Sequence, residues 1–181
     1  MTGLDIFLIL IFAVVCIAAL VQGLIRQLMS LAVLFIVTAV VGNVYPYGAL
    51  ALAWVQERAP TLADGIAFFV MFLFFTIALE VLLRRSFPVT RLPKLKALDN
   101  ILGFLVGLLN GLIIVSLLLT LVGYSAHRSW GEIAPRARRA LIRAYRDAML
   151  RPYLATFWEG YLTAHTLWFP RTPPLLGYLL R

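Results

Sequence analysis

Four long apolar runs divide the first 124 residues, and their lengths set the architecture. Ile6 to Val21 is a run of sixteen apolar residues, extended by Leu24 and Ile25 past Gln22 and Gly23. Leu28 to Val44 is interrupted only by Ser30, Thr38, Gly42 and Asn43, and Ile66 to Leu83 is rich in phenylalanine. The fourth run opens at Asp99-Asn100 and reaches Val122 without a further charge. Runs of this length match the apolar thickness of a bilayer, so the pattern predicts spanning helices over 4–22, 28–45, 65–84 and 99–123. The short link Gln22 to Gln27 predicts that the first two helices are antiparallel neighbours.

The segments between and after these runs change character. Tyr45 to Asp64 is polar, begins at a break expected at Pro46, and reads as a short interfacial helix with Trp54 at headgroup depth. Glu80 lies inside the third run with Arg84 four residues on, the spacing of an ion pair near the membrane edge. Arg84 to Leu98 holds Arg84, Arg85, Arg91, Lys94 and Lys96, and Pro88 with Pro93 prevents a regular helix.

From Ile133 to Met149 apolar residues recur at helical spacing, while Arg136, Arg138, Arg139, Arg143 and Arg146 largely take the other side. A basic amphipathic helix on the membrane surface fits, near 133–150. Past Pro152, Tyr153, Phe157, Trp158 and Tyr161 form a second amphipathic face, near 153–167, and the prolines after Trp168 and Phe169 suggest an irregular ending. The fold class is therefore an all-α integral membrane protein: four transmembrane helices in residues 1–124 and C-terminal interfacial amphipathic helices in a basic, aromatic-rich surface tail, 125–181.

Composition agrees: 62% of the 181 residues are hydrophobic and only 13% charged, about half the charge of a soluble domain. The net charge of +8 is best read through its distribution. The basic residues flank spanning segments rather than forming a soluble stacking platform, which points to anionic lipid headgroups and away from nucleic acid. The loops after the first and third spans hold six basic residues, against only Arg58 in the N-terminus and second loop. By the positive-inside rule those two loops are cytoplasmic and both termini extracytoplasmic, although the tail carries nine of the sixteen basic residues. The N-terminus lacks the basic start of a cleaved signal, so the first run is expected to stay as a helix. Cys16, alone in the chain, forms no internal disulfide.

One stretch organises the rest. Asp99, Gly103, Gly107 and Gly111 stand four residues apart, a single stripe along a helix. Glycines so spaced let another backbone approach closely, so this face is a helix-packing seam. Asp99 precedes the apolar run as a helix cap does, and Arg26 is the best candidate for an ion pair with it, because their loops share one membrane face.

Asp5 before the first span, Gly23-Leu-Ile-Arg26 at the first turn and the Asp99-Gly103-Gly107-Gly111 series resemble the colicin V production protein family over roughly residues 4–124. Members often carry a base where this chain has Asn110. The resemblance implies a small bacterial inner-membrane protein with a role in bacteriocin production or export, and in the state of the envelope. Some relatives carry an extracytoplasmic trypsin-like protease after the spanning segment; here Gly123-Tyr-Ser125-Ala-His127 lacks the second glycine of a nucleophile elbow. His127 and His165 stand far apart with no cysteine cluster, so no metal or cofactor is expected. The expected function is a non-enzymatic scaffold or accessory subunit, working with a membrane-protein partner or as a homo-oligomer. The alternative is an oligomeric channel or transporter subunit, suggested by Asp99, Asn110, Ser116 and Thr120 on one helix.

Overall fold

The computed structural model describes residues 2–87, 96–128, 130, 133–169 and 172–180. The expected irregular turn at Pro88, Arg91, Pro93 and Lys94 lies outside these residues, as does Pro170 of the expected irregular ending. The described chain is all helix: α1 (Gly3–Gln22), α2 (Leu24–Leu50), α3 (Ala53–Arg58), α4 (Pro60–Ser86), α5 (Lys96–His127), α6 (Pro135–Arg146), α7 (Arg151–Ala164) and a 3₁₀ turn at Leu176–Leu180. Four of these, α1, α2, α4 and α5, are long and apolar enough to cross a membrane. The protein is an all-α membrane protein.

Three of the spans outrun their predicted ends. α2 continues through Pro46 to Leu50, so the expected break is absent. A proline removes one backbone bond and strains its own turn, but in lipid a broken helix would leave several polar groups unpaired. The interfacial helix expected over 45–64 therefore shrinks to the six residues of α3, with Trp54 exposed on it. Pro60 starts α4 at a position where its missing N–H costs nothing, and α5 runs on to His127.

Neighbour relations also differ from the reading by loop length. α1 packs chiefly along α5, and α2 packs on α4 and α5, with little contact between α1 and α2. The one-residue joint, Gly23 at φ +84°, turns the chain so sharply that the two helices splay apart. The smooth face of α5 draws α1 away because close backbone approach yields more van der Waals contact than packing against α2 would.

The largest correction concerns the tail. α6 is amphipathic and mostly exposed, as expected of a surface helix. α7 is not interfacial: Trp158 and His165 are fully buried, and Leu154, Tyr161 and Leu162 join the same apolar core as the four long helices. Tyr161 donates its hydroxyl to Thr38 Oγ1 at 3.0 Å, and the two ring nitrogens of His165 lie 2.9 Å from the Tyr161 carbonyl and 3.1 Å from the Phe35 carbonyl. The His165 ring stacks on Phe35 with centroids 3.8 Å apart. α7 packs on α5 and the 3₁₀ turn, and its C-terminal end reaches the middle of α2, at Phe35 and Thr38, through the Tyr161 and His165 side chains. The chain then returns, seating Phe169 and Leu176 against Gly42, where any Cβ would collide with both. Leu176 also accepts the Trp158 indole N–H at 2.8 Å. Inside the fold the His165 ring N–H donates to the Tyr161 or the Phe35 carbonyl, the tautomer deciding which, and Glu159 faces out.

Candidate functional site

The glycine stripe meets α1 in antiparallel register. A Cβ on Gly103 would lie 2.7 Å from the Gly23 carbonyl carbon and 3.0 Å from both Gly23 Cα and Leu24 N. A Cβ on Gly107 would run into Ala19, and one on Gly111 would lie 2.7 Å from the Phe12 ring. The three glycines thus serve an internal crossing, α5 on α1, and offer no surface to another chain.

Asp99 closes one end of that crossing. It is buried, and its Oδ1 accepts the Leu24 N–H at 2.9 Å. Leu24 is the first residue of α2, whose cap position is Gly23 and has no side chain to offer. Asp99 therefore caps a foreign helix, placing a carboxylate at the positive end of α2. The expected pairing of Asp99 with Arg26 is not what forms. Arg26 Nη2 instead lies 3.7 Å from Glu80 Oε2, because its position on α2 turns it toward α4. Asp5 repeats the device at the other end: its Oδ2 accepts the Thr2 N–H at 2.7 Å, and its Oδ1 accepts the Leu150 N–H at 3.3 Å, where α7 begins.

Beside the crossing, the splay of α1 from α2 leaves a cleft of about 240 Å³ floored by α5 and flanked by α4. Its mouth is polar. Glu80 gathers Arg26, Arg84 at 3.8 Å, and the Ser30 hydroxyl, which donates to Oε1. Asn110 Nδ2 donates to Gln27 O at 3.1 Å and Gln27 Oε1 at 2.8 Å, while Gln27 Nε2 donates to Gln22 Oε1 at 3.0 Å. That chain fixes the Asn110 amide, so its Oδ1 is an acceptor without a partner, although the residue is only 2% exposed. Thr76 Oγ1 is likewise buried and unpartnered. Val14, Val15, Ala18, Leu34 and Ile114 make the rest of the wall apolar. Ser116 and Thr120, grouped with Asn110 in the sequence, lie apart from the cleft, and Thr120 Oγ1 donates to the Ser116 carbonyl at 2.7 Å.

Sequence reasoning missed this cleft because its members come from four helices. The available signals were the placement of Ser30 and Asn110 within apolar runs and of Gln27 at the edge of one. The Glu80–Arg84 pair was legible from i,i+4 spacing; Arg26 as its second partner was not. Glu80→Gln should cost about 2 kcal/mol, since it strands a shielded Arg26, whose side chain is 14% exposed. Adding Arg26→Gln should cost little more. Thermal unfolding of the single and double variants in detergent checks this, and additive losses would refute the pairing.

The arginines expected on the membrane surface divide in two. Arg136, Arg139, Arg143 and Arg146 are exposed on α6. Arg138 is not a surface charge: its Nε donates to the Ala126 and Arg128 carbonyls at 3.1 and 2.7 Å, and its Nη2 to the His127 carbonyl at 3.2 Å. Those oxygens end α5, where the helix dipole and unpaired carbonyls attract a cation.

Compared with known proteins, the chain matches the model of one family, the colicin V production proteins, over residues 4–157. The matched stretch includes Asp5, Gly23, Asp99 and the three seam glycines, and extends through α6 into α7. No curated protein and no solved structure matches it.

Proposed function

The chain belongs to the colicin V production protein family, and from that premise we propose that it is a non-enzymatic scaffold or accessory subunit of toxin production, export or envelope maintenance. The cleft beside the glycine crossing carries this reading. It opens sideways between spanning-length helices, yet holds the unpartnered Asn110 Oδ1 and Thr76 Oγ1. Unsatisfied polar groups facing hydrocarbon are costly, and a partner helix bearing a polar side chain satisfies them. The seam glycines are spent inside the bundle, which leaves this cleft as the place for such a helix.

Photo-crosslinkers placed at Val14 and Ala18 on the cleft wall, in native membranes, should give adducts of discrete mass with another membrane protein or a second copy. A chain recovered only as an uncrosslinked monomer would count against the proposal. The second reading, a channel or transporter subunit, draws on Glu80 at the cleft mouth. Reconstituted protein without ion or solute flux removes it. The family supports residence in the bacterial inner membrane, the charge of the first and third loops supports both termini being extracytoplasmic, and thiol labelling of cysteines placed at Thr2 and Arg85 tests the orientation.

A further inference from the structure

A second cavity, of about 230 Å³, lies at the far end of the bundle, where the end of α5 meets α6, the start of α7 and the final 3₁₀ turn. Its charged lining is of one sign, Arg138, Arg146 and Arg151, with no carboxylate among the lining residues. Arg138 is engaged by the α5 carbonyls. Arg146 and Arg151 make no ion pair with any described residue. Arg151 lies 4.8 Å from the centroid of the Tyr145 ring, which holds its guanidinium at the cavity wall. Three acids stand nearby, Asp147 next to Arg146 in the chain, Asp5 at the Leu150 amide and Glu159 in an adjoining groove, and none of them pairs with Arg146 or Arg151.

Tyr145 lines the cavity beside them. The residue is 6% exposed, and its hydroxyl makes no well-aligned hydrogen bond, with Arg151 as its charged neighbour. Gly123 makes this possible, since a Cβ there would collide with both Tyr145 and Tyr178. Tyr178 is already committed, its hydroxyl 3.1 Å from His127 Nδ1. Two guanidiniums without an ion pair, gathered around one buried hydroxyl, suit an acceptor with several oxygens and negative charge.

We propose that this cavity is a discrete phosphate-group site, held by Arg146, Arg151 and the Tyr145 hydroxyl. A phosphate offers enough oxygens to take a guanidinium from each arginine and the hydroxyl at once. The group is carried by a phospholipid headgroup or is free phosphate, and the site differs from the diffuse attraction of the exposed α6 arginines because it is one-to-one.

The test uses the full-length protein in a non-ionic detergent, with native mass spectrometry for lipid adducts and phosphorus NMR for free phosphate. Titration with dioleoylphosphatidylglycerol, and separately with inorganic phosphate, should show saturable binding of one equivalent of at least one probe. If lipid binds and millimolar phosphate fails to displace it, the source is a headgroup; efficient displacement identifies free phosphate. Arg146→Gln, at an exposed position, should weaken binding about tenfold, and Tyr145→Phe severalfold. Arg139→Gln, on the same helix but outside the cavity, should leave it unchanged. No saturable binding of either probe overturns the proposal, and so does an equal loss in Arg139→Gln and Arg146→Gln.

Discussion

Gly103→Ala is expected to destabilise the protein by about 3 kcal/mol, because the added methyl group meets backbone that cannot move aside. Overpacking a well-filled site usually costs about 1–3 kcal/mol because side chains move aside. Here the obstacle is backbone: the new Cβ would meet the Gly23 carbonyl carbon at 2.7 Å and Leu24 N at 3.0 Å. Relief requires parting α5 from the joint between α1 and α2, which also draws Asp99 away from the Leu24 amide. Gly23→Ala should do comparable harm by another route. Its φ of +84° suits glycine, and its Cβ would collide with the Asp99 carboxylate. Gly107→Leu should also fail, though insertion is unimpaired, because the residue gained is more apolar. Gly160→Ala is the control: it lies on α7 with nothing within 4 Å of its would-be Cβ, and helix propensity favours the change by about 1 kcal/mol. Accumulation in membranes and thermal unfolding in detergent measure the series. Wild-type stability of Gly103→Ala would mean that the crossing is looser than described.

Asp99 gives the second large effect, and three substitutions separate its possible roles. Asp99→Leu should cost about 2–3 kcal/mol, because a buried amide N–H at the start of α2 loses its acceptor. Asp99→Asn keeps an oxygen for that amide and should cost under about 1 kcal/mol, the loss of the carboxylate's charge at the helix end. Arg26→Gln acts on a different cluster, through Glu80. Its effect should therefore add to that of Asp99→Asn, within about 0.5 kcal/mol. Non-additivity in that cycle would restore a direct coupling between Asp99 and Arg26. A harmful Asp99→Asn with a harmless Arg26→Gln would instead assign the carboxylate charge a role beyond capping.

These two results also explain why the residues that carry the family resemblance occur together. Gly23, Asp99 and Gly103 meet at one point: a glycine joint, an acid that caps the helix leaving it, and a glycine that lets the fourth span reach it. Asp5 holds the start of α7 by the same chemistry at the opposite end. The shared residues at these points therefore have a packing and capping explanation. The polar cleft and the arginine cavity lie beside this frame, and of the residues that carry the resemblance only Arg26 enters the cleft, through Glu80.

The sequence by itself determined the class of fold and the four spans, because segment length and apolarity act locally and a bilayer admits few solutions. It also determined that the α5 glycines form a seam, since period-four spacing on a helix is a local property. Only the tertiary structure decided what the seam meets. A short link brings two helix ends together but does not align their bodies, and Gly23 directs α1 onto α5 instead of α2. Partners of charged groups were decided there too. Arg26 and Asp99 both lie at the start of α2, yet the rotation of each helix about its axis sends one to Glu80 and the other to a backbone amide. α7 shows the limit most clearly. A short aromatic helix with polar tips has the same composition whether it lies on a bilayer or enters a bundle. Carbonyls of α2 and α7, a glycine at position 42 and the returning chain at Leu176 together supply the burial and hydrogen bonds that bring it inside.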